Sequence, residues 1–598
     1  MSPPPGRPPQ KLPEKPVDMK KSVKNIISLL KNYKLKLLIT LICAILSTTF
    51  SVIGPLIIGD ATTLIYDGIN KLLNHTGTIN FEQLYSLLVI AVILYIVSAV
   101  FTYLQSWFLT QISTDISYTL RKQIINKITS MSMSDLDANK RGDILSRITN
   151  DVDSLQTGIT STFIQLMTAI ITIVGVLVMM FYINTYMALA TVLLVPLSII
   201  VIQIMTKYSQ KYFKKQLNYK GRTNTIIEES FTAHDIIRVF NRENKSLENF
   251  REESGKWYEY EWKSQFFSSL SGPIMSFLSN LAYIIIAVLG AVLVLEQSIT
   301  VGNILSFFQY INNLTRPIQQ ITRVMTLLQT AMAASDRIFE FLENNDEEDT
   351  ATTNLTEFKH EISFEHVYFG YDENQPIIKD LSFNVKKGDK IAIVGKTGAG
   401  KTTIIKLLMR FYDITSGSIK IDGKNIEEYT KNSLRSKIGM VLQDTWLFSD
   451  TIMNNIRYGN INTTDEEIIS ASKQVYTDNF IRQLPEGYNT QLNEDTDNIS
   501  QGQKQLITIA RTILSQKEIL ILDEATSSVD TRTEKLIQKA MDKLMKNRTS
   551  FVIAHRLSTI QNADKILVID NGQIIEEGTH EELINIRGVY YNMLKSSS

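Results

Sequence analysis

The chain has 598 residues, and at about 150 residues per domain this length predicts several folding units. Its 61 basic and 61 acidic residues balance, so net charge gives no argument for nucleic acid as a partner. The single cysteine, Cys43, excludes an intramolecular disulfide framework and any cysteine-based zinc cluster.

The chain divides into regions of different composition. Residues 1–19 are rich in proline and lack the apolar core of a signal peptide, so we predict a disordered tail. Apolar blocks then crowd the first half of the chain, and we assign 20–335 to a transmembrane domain. We assign 336–354 to a linker and 355–598 to a soluble domain.

Six stretches approach the roughly 20 apolar residues that a helix needs to cross a bilayer. They are 35–58, 84–109, 163–183, 186–205, 270–295 and 301–321. The last stretch is the most polar, so hydropathy supports it least. Two polar stretches, 113–157 and 206–265, are rich in helix-forming residues and are too long for turns. We predict that they form cytosolic helical extensions.

The distribution of lysines predicts the orientation in the membrane. A basic flank precedes the first span, whereas Lys71 is the only basic residue in the following loop, 59–83. The positive-inside rule therefore places the N-terminus in the cytosol. Six crossings return the chain to the cytosol, so we predict a multi-pass protein of the cytoplasmic membrane with both termini and the soluble domain in the cytosol.

A phosphate-binding loop follows an apolar, β-branched strand. The run 391–395 leads into the sequence G-x-x-x-x-G-K-T, and we refer to residues 395–403 as the phosphate loop. Its glycines let backbone N–H groups approach phosphates, Lys401 supplies positive charge, and Thr402 offers a hydroxyl to Mg²⁺. The candidate ATP-binding residues here are Gly395, Lys396, Thr397, Gly398, Ala399, Gly400, Lys401, Thr402 and Thr403.

A second buried-strand run, 519–522, ends in two carboxylates. Asp523 is positioned to hold the Mg²⁺ shell, and Glu524 to orient or deprotonate the attacking water. On its own, such a carboxylate pair could merely begin a helix. The phosphate loop upstream favours the catalytic interpretation.

A further anion-binding pattern lies at 498–506, before a helical pattern of apolar residues. The hydroxyl of Ser500 and the backbone amides of Gly502 and Gln503 would lie at a helix N-terminus. Such a terminus attracts anions.

These motifs, in this order, resemble those of exporter-type ABC transporters, and the match covers nearly all of the chain after the tail. The resemblance implies a membrane all-α six-helix transmembrane domain fused to an α/β P-loop ABC nucleotide-binding domain. It implies that Tyr371 stacks on adenine and that Gln443 senses Mg²⁺ and the γ-phosphate. It also implies that Asp530 lines the dimer contact and that His555 reaches the γ-phosphate. The expected catalytic residues are then Glu524, His555 and Gln443, and the expected Mg²⁺ ligands are Thr402, Gln443 and Asp523.

The family fold closes two nucleotide-binding domains head to tail, with each ATP between one chain's phosphate loop and the other chain's signature motif. The resemblance therefore implies a second half-transporter as partner. It further suggests that short helices near 133–137 and 231–237 transmit domain closure, with Glu494 near that contact. These residues could equally be solvated surface.

The signature motif departs from the family pattern. The usual Leu-Ser-Gly-Gly-Gln is Ile-Ser-Gln-Gly-Gln here, with Gln501 in place of the first glycine. The phosphate loop, Glu524 and His555 match the pattern. This asymmetry favours a heterodimer with a different chain over a homodimer.

Many aromatic and methionine side chains occupy the spans, which suits varied apolar ligands, although such residues also pack helices. Acidic and basic residues are missing from the apolar centres, which argues against ions as cargo. We therefore predict ATP-driven multidrug export of amphipathic or hydrophobic compounds, in contact with membrane lipids. A lipid flippase with the same ATPase is the alternative, and a nucleotide-gated regulator or channel subunit is a third.

Overall fold

The computed structural model describes residues 19–139, 141–372, 375–442, 445–493, 498–523, 530–554 and 560–597. By their internal contacts they divide into two compact units. The first unit comprises residues up to Met131 together with Ala138–Asn344. The second comprises Asn345–Ser598 together with the short segment Ser132–Asp137, which is far away in sequence.

Long helices build the first unit. Their bounds are α1 Met19–Leu30, α2 Lys34–Leu73, α3 Phe81–Ser130, α5 Arg141–Ser146, α6 Val152–Ile183, α7 Thr185–Val192, α8 Leu194–Thr232, α9 His234–Val239, α10 Glu243–Ser269, α11 Ser271–Leu295 and α12 Val301–Leu342, with α4 Met133–Ala138 between α3 and α5. Consecutive helices often continue one another with little interruption. The two polar stretches are helical, as predicted. The end of α3, with α4, α5 and the start of α6, covers most of the first, and α8, α9 and α10 cover most of the second.

Within the described residues, five helical stretches are long and apolar enough to cross a membrane. They are Lys20–Leu73, Phe81–Ser130, Arg141–Ile183, Thr185–Thr232 and Glu243–Leu295, and they contain the first five predicted spans. The sixth predicted span falls in α12, a continuous helix of 42 residues. Its composition alone does not identify it as a membrane span. We expected this result, because the stretch contains many polar residues.

The core of the first unit is apolar and includes side chains from α6, α11 and α12. Met180, Ile286, Phe307 and Tyr310 are almost completely buried there. One buried carboxylate outside this core is paired. Asp151 accepts two hydrogen bonds from the Arg337 guanidinium, at 2.9 and 2.5 Å, which offsets the cost of burying the charge.

The second unit is an α/β domain. Its strands are β1 Glu361–Phe369, β2 Ile378–Lys386, β3 Lys390–Gly395, β4 Ser416–Ile421, β5 Lys424–Asn425, β6 Ile438–Val441, β7 Ile519–Asp523, β8 Thr549–Ile553, β9 Lys565–Asp570 and β10 Gln573–Gly578. Its helices are α13 Lys401–Leu408, α14 Lys431–Lys437, α15 Ile452–Arg457, α16 Asp465–Gln474, α17 Thr477–Ile481, α18 Gln501–Leu514, α19 Thr531–Met545, α20 His580–Ile586 and α21 Val589–Ser597.

The strands form two sheets. One is antiparallel, in the order β2-β1-β4-β5, and the other has the order β10-β9-β3-β8-β7-β6. In the larger sheet, β3 pairs in parallel with both β8 and β9. Alternate side chains of β3 enter two apolar cores, Ile391 and Ile393 on one face and Ala392 and Val394 on the other. Burial on both faces explains the unbroken apolar runs in the sequence.

Candidate functional site

The phosphate loop connects the carboxyl end of β3 to the first turn of α13, the usual ligand position in a parallel sheet. Its glycines are needed for steric reasons. Gly400 begins α13 with φ +102°, and a Cβ there would lie 2.8 Å from Cδ1 of Ile378. A Cβ on Gly395 would lie 2.2 Å from the carbonyl oxygen of Ile569. At these two positions the backbone therefore lies closer to neighbouring atoms than a residue with a Cβ would allow.

Lys401 lies at the centre of this loop and is 8% exposed. Its ammonium donates to the carbonyls of Gly395, at 2.7 Å, and Lys396, at 3.0 Å. Burial lowers the pKa of Lys401, and the negative charge of Asp523 at the end of β7 opposes that shift. The carboxylate of Asp523 therefore stabilises the charged form of Lys401, as expected if both side chains face one ligand.

The remaining loop residues divide by exposure. Lys396, Thr397, Gly398 and Thr402 are exposed, whereas Ala399, Gly400 and Thr403 are buried. No side chain caps the start of α13, so in this described segment its first amides have no side-chain acceptor. An uncapped helix start of this kind fits a triphosphate, because orphan N–H groups and the helix dipole both favour an anion.

Tyr371 lies beside α13, and its hydroxyl is 3.5 Å from Oγ1 of Thr403. It packs edge-on against Phe369 and Tyr412, with ring centroids 5.1 and 5.0 Å apart. The Lys406 ammonium lies 5.5 Å from the centre of its ring. Tyr371 is half exposed, so an aromatic face close to the phosphate loop can still accept a flat ligand such as adenine.

The signature motif begins α18 with a capping box. Oγ of Ser500 accepts from the amide of Gln503 at 3.3 Å, and the Gln503 side chain accepts from the amide of Ser500 at 2.8 Å. Gly502 is buried. Gln501, the residue that departs from the family pattern, is exposed and donates to Oγ1 of Thr445 at 3.3 Å.

Asp530 has a local structural partner. It caps α19, and its carboxylate accepts from the amides of Arg532 and Thr533, both at 3.0 Å. Hydrogen bonds from Thr533, then from Arg532, lower the pKa of Asp530. Gln443, Glu524, His555 and the coupling candidate Glu494 lie outside the described residues.

Sequence reasoning missed an arginine behind the signature motif. Arg511, in the last turn of α18, donates to the carbonyls of Asn455, at 2.8 Å, and Trp446, at 3.1 Å. Asn455 in turn exchanges hydrogen bonds with the backbone of Phe448. Burial lowers the pKa of Arg511. Arg511 thus ties the signature helix to the segment that follows Gln443. A basic residue in an otherwise apolar helical face was the available signal.

A second contact, which the sequence predicted as a segment but without its partner residues, lies inside the second unit. Asp137, in the segment Ser132–Asp137, accepts a 2.6 Å hydrogen bond from the Tyr412 hydroxyl. Lys406 of α13 approaches the same carboxylate at 3.4 Å. Burial first, and Asp137 second, raise the pKa of Tyr412. The 133–137 segment, which we expected to touch this domain, therefore contacts the helix that begins at the phosphate loop.

Each half of the chain matches a known protein family. Residues 37–318 match the family described as the ABC transporter transmembrane region. Residues 378–527 match the family described as ABC transporter. The second match contains the phosphate loop, the signature motif and β7.

Several characterised and uncharacterised proteins are similar along most of their length. A fatty acid ABC transporter ATP-binding/permease protein of Mycobacterium tuberculosis is 41% identical over 583 residues, which is 92% of either chain. An uncharacterised ABC transporter ATP-binding protein of Bacillus subtilis, YfiC, is 35% identical and covers 97% of this chain and 94% of its own. An ATP-dependent lipid A-core flippase of Syntrophus aciditrophicus is 35% identical over 86% of either chain.

The family matches coincide with the two kinds of structure described above. The apolar helices long enough to span a membrane overlap the transmembrane-region match, and the phosphate loop, the signature motif and the strands from β2 to β7 of the α/β domain lie in the other. The chain therefore belongs to the ABC transporters: it is a multi-pass exporter subunit with an N-terminal helical transmembrane domain and a C-terminal ATPase domain that binds and hydrolyses ATP.

Proposed function

We propose that this chain is one half of a dimeric exporter that uses ATP hydrolysis to move amphipathic, largely apolar compounds out of the cytoplasmic membrane. The observation that carries this proposal is the union, in one chain, of long apolar helices and a phosphate loop with a buried lysine. The lysine-rich flank before α2 supports an orientation with both termini and the ATPase domain in the cytosol.

In the proposed reaction the phosphate loop binds the β- and γ-phosphates of ATP and Tyr371 stacks on adenine. Thr402, Gln443 and Asp523 would hold Mg²⁺, which supplies positive charge against the phosphate oxygens. Glu524 orients the attacking water and accepts its proton, and His555 donates a hydrogen bond at the γ-phosphate. Lys401 stabilises the charge that develops on the transferred group.

The signature residues of this chain act at the ATP site of the partner half-transporter. Ser500, Gly502 and Gln503 would meet ATP held by the partner's phosphate loop, with Asp530 at the same contact. The extra side chain of Gln501 stands at this helix start, where a glycine would leave more room. We therefore propose a heterodimer in which this chain's phosphate loop forms the fast site and its signature motif forms part of a slow site.

The cargo class we favour carries an acyl chain. The names of two relatives refer to a fatty acid and to lipid A-core, and those relatives cover most of this chain. The apolar span centres suit such a cargo better than an ion. Drug-like amphipathic compounds are the second candidate, because aromatic and methionine side chains can repack around varied apolar ligands. The span residues that suggest this are Phe101, Tyr103, Trp107, Met167, Met179, Phe181, Phe277 and Tyr283. The sequence also suggested Phe307 and Tyr310, but both are buried in the helix packing.

The experiment is transport in proteoliposomes that contain the purified transporter with its partner half. We expect ATP-dependent, directional movement of a fluorescent fatty acid or phospholipid, in excess over a cationic dye. Glu524→Gln should abolish movement while retaining ATP binding, and Glu466→Gln, an exposed carboxylate on α16, should change neither.

Two outcomes would refute parts of this proposal. Faster transport of the dye than of the acyl compounds would replace lipid cargo with multidrug export. Flux that ATP opens in both directions, without accumulation against a gradient, would indicate a nucleotide-gated channel or regulator.

A further inference from the structure

One face of α8 changes from apolar to basic over about four helical turns. Ile200 is 52% exposed and Ile204 is 45% exposed. Further along the helix, Lys207, Lys211 and Lys214 are all exposed. The spacing of these five residues repeats at three and four, so they form one continuous stripe on the helix surface.

The stripe points away from the neighbouring helix. The opposite face of α8 packs on α10, where Ser209 donates to the carbonyl of Ser264 and Gln216 donates to Glu261 at 2.5 Å. Tyr219 stacks on Tyr260 along the same contact. Among the described residues this packing reaches the three lysines only at Lys211, whose ammonium lies 5.9 Å from the centre of the Tyr212 ring.

The lysines of the stripe also lack acidic partners. In the part of the chain that the structure describes, none of their ammonium groups lies within 4 Å of a carboxylate. The nearby acids of α10 have other partners, since Glu259 pairs with Lys263 and Glu261 also accepts from Trp257. The stripe is consequently a local excess of positive charge.

Aromatic side chains mark the level at which the apolar part of the stripe ends. Tyr208 and Tyr212 both stack on Phe267, with ring centroids 5.5 and 5.6 Å apart. Trp262 and Phe266 on α10 are about half exposed beside them. Aromatic residues are enriched where spans meet the membrane–water boundary. Lys207 therefore lies where a lipid headgroup would be.

We propose that this stripe, Ile200, Ile204, Lys207, Lys211 and Lys214, binds an anionic phospholipid of the cytosolic leaflet. The acyl chain would lie along the two isoleucines and the headgroup phosphate against the lysines, which extend over about 10 Å of helix. A soluble anion would use only the basic half of the stripe. The inference rests on the cytosolic orientation given under the proposed function, and it does not require that the bound lipid is cargo.

The test is native mass spectrometry of the delipidated, detergent-solubilised transporter with its partner half, titrated with phosphatidylglycerol or phosphatidylcholine. We expect phosphatidylglycerol to bind more tightly. In the triple variant Lys207→Gln, Lys211→Gln, Lys214→Gln its affinity should fall at least about tenfold, since each juxtamembrane lysine contributes about fivefold. Phosphatidylcholine binding should not change.

Two further variants serve as controls. The arginine triple variant at the same positions keeps the charge and should retain binding, which separates loss of charge from misfolding. A triple glutamine variant at Lys535, Lys539 and Lys546, exposed lysines of the ATPase domain, removes equal charge elsewhere and should bind as the wild type does.

Three results would overturn the proposal. The first is equal binding of phosphatidylglycerol to the wild type and the glutamine variant. The second is equally tight binding of glycerol phosphate, which has no acyl chain. The third is equally tight binding of oleate that is lost, together with oleate transport, in the glutamine variant, because the stripe would then be a cargo site. Lipid binding needs no ATP, so a failure of the proposed transport function would appear separately.

Discussion

Two helices of the ATPase domain begin where an anion is expected, and they begin in different ways. α13 follows Gly400 in a left-handed conformation, and no side chain caps it. α18 begins at Ser500 within a complete capping box. The first start thus leaves its amides to an external ligand, whereas the second already satisfies two backbone N–H groups with its own side chains.

This difference supports the proposal that one domain serves two ATP molecules unequally. The start of α13 lacks a stabilising side-chain cap, so an external triphosphate can accept hydrogen bonds from its N–H groups instead. The start of α18 is complete without a ligand, and Gln501 adds a side chain that is held by Thr445. We therefore expect substitutions at α13 to affect turnover more strongly than substitutions at α18.

The largest effect should come from Lys401→Ala. This change removes the ammonium that lies inside the phosphate loop, and loss of one such charge-stabilising donor typically costs about 100-fold or more in rate. The measurement is ATPase activity of the reconstituted transporter. Lys386→Ala, at the exposed end of β2, is the control and should keep wild-type activity. Less than a tenfold loss at Lys401 would contradict the comparison.

A smaller effect is expected from Gly400→Ala. The new Cβ would strain a backbone at φ +102° and press on Ile378, so we expect ATP affinity to fall by at least about tenfold. Gly388→Ala is a matched control, because its φ is +95° but nothing lies within 4 Å of the added Cβ. Both variants should lose about 1–2 kcal/mol of stability. Equal ATP affinity in the two variants would show that the loop does not need this conformation.

At the signature motif, Gln501→Gly should produce a moderate gain. Removing the side chain breaks the contact with Thr445 and opens the start of α18, so turnover at the partner's site should rise by a few-fold at most, about 1 kcal/mol. Single-turnover hydrolysis by a complex with Glu524→Gln in this chain isolates that site. An unchanged or lower rate would mean that Gln501 does not limit it.

The smallest effect on ATP turnover is expected at the far end of α13, where the change acts on stability instead. Arg435 donates to the carbonyls of Met409 and Arg410, just after α13, and forms two hydrogen bonds to Glu347, at 2.8 and 2.6 Å. Glu347→Gln should lower stability by about 1–3 kcal/mol without abolishing ATP binding. The measurement is thermal unfolding of the solubilised transporter. Glu357→Gln is the control, because that carboxylate pairs with Lys359 only at the surface.

The same pair predicts a pH dependence. Hydrogen bonds from Arg435 hold the pKa of Glu347 below its ordinary value. The stabilising contribution is therefore complete above the unfolded-state pKa of about 4.3 and disappears as pH falls through the lower folded-state pKa. The difference in melting temperature between the wild type and Glu347→Gln should be largest near neutral pH. A difference that grows with acidification would contradict the assignment.

The sequence predicts the parts of this molecule that depend on local pattern. The phosphate loop follows from glycine spacing after a buried strand, and the first five spans follow from long apolar runs. The start of α18 was also placed correctly, because a helical pattern of apolar residues follows Ser500. In each case neighbouring residues determine the conformation.

The parts that escaped prediction depend on residues far apart in the chain. Arg511 reaches Trp446 across 65 positions, and Tyr412 reaches Asp137 across 275. In a sequence, Arg511 and Asp137 look like ordinary solvated charges. Only the fold shows that they have specific partners. The sixth predicted span is a different case, because α12 is a continuous helix that is too polar to be identified as a membrane span by hydropathy.

If the two ATP sites of the assembled transporter are unequal and the fast one uses this chain's phosphate loop, nucleotide should be trapped on this chain alone. The most direct measurement is orthovanadate trapping of 8-azido-ATP in the purified complex, followed by photolabelling and a count of label on each chain. We expect a single trapped nucleotide per dimer, attached to this chain. Equal labelling of two different chains, or two trapped nucleotides in a homodimer of this chain, would contradict it.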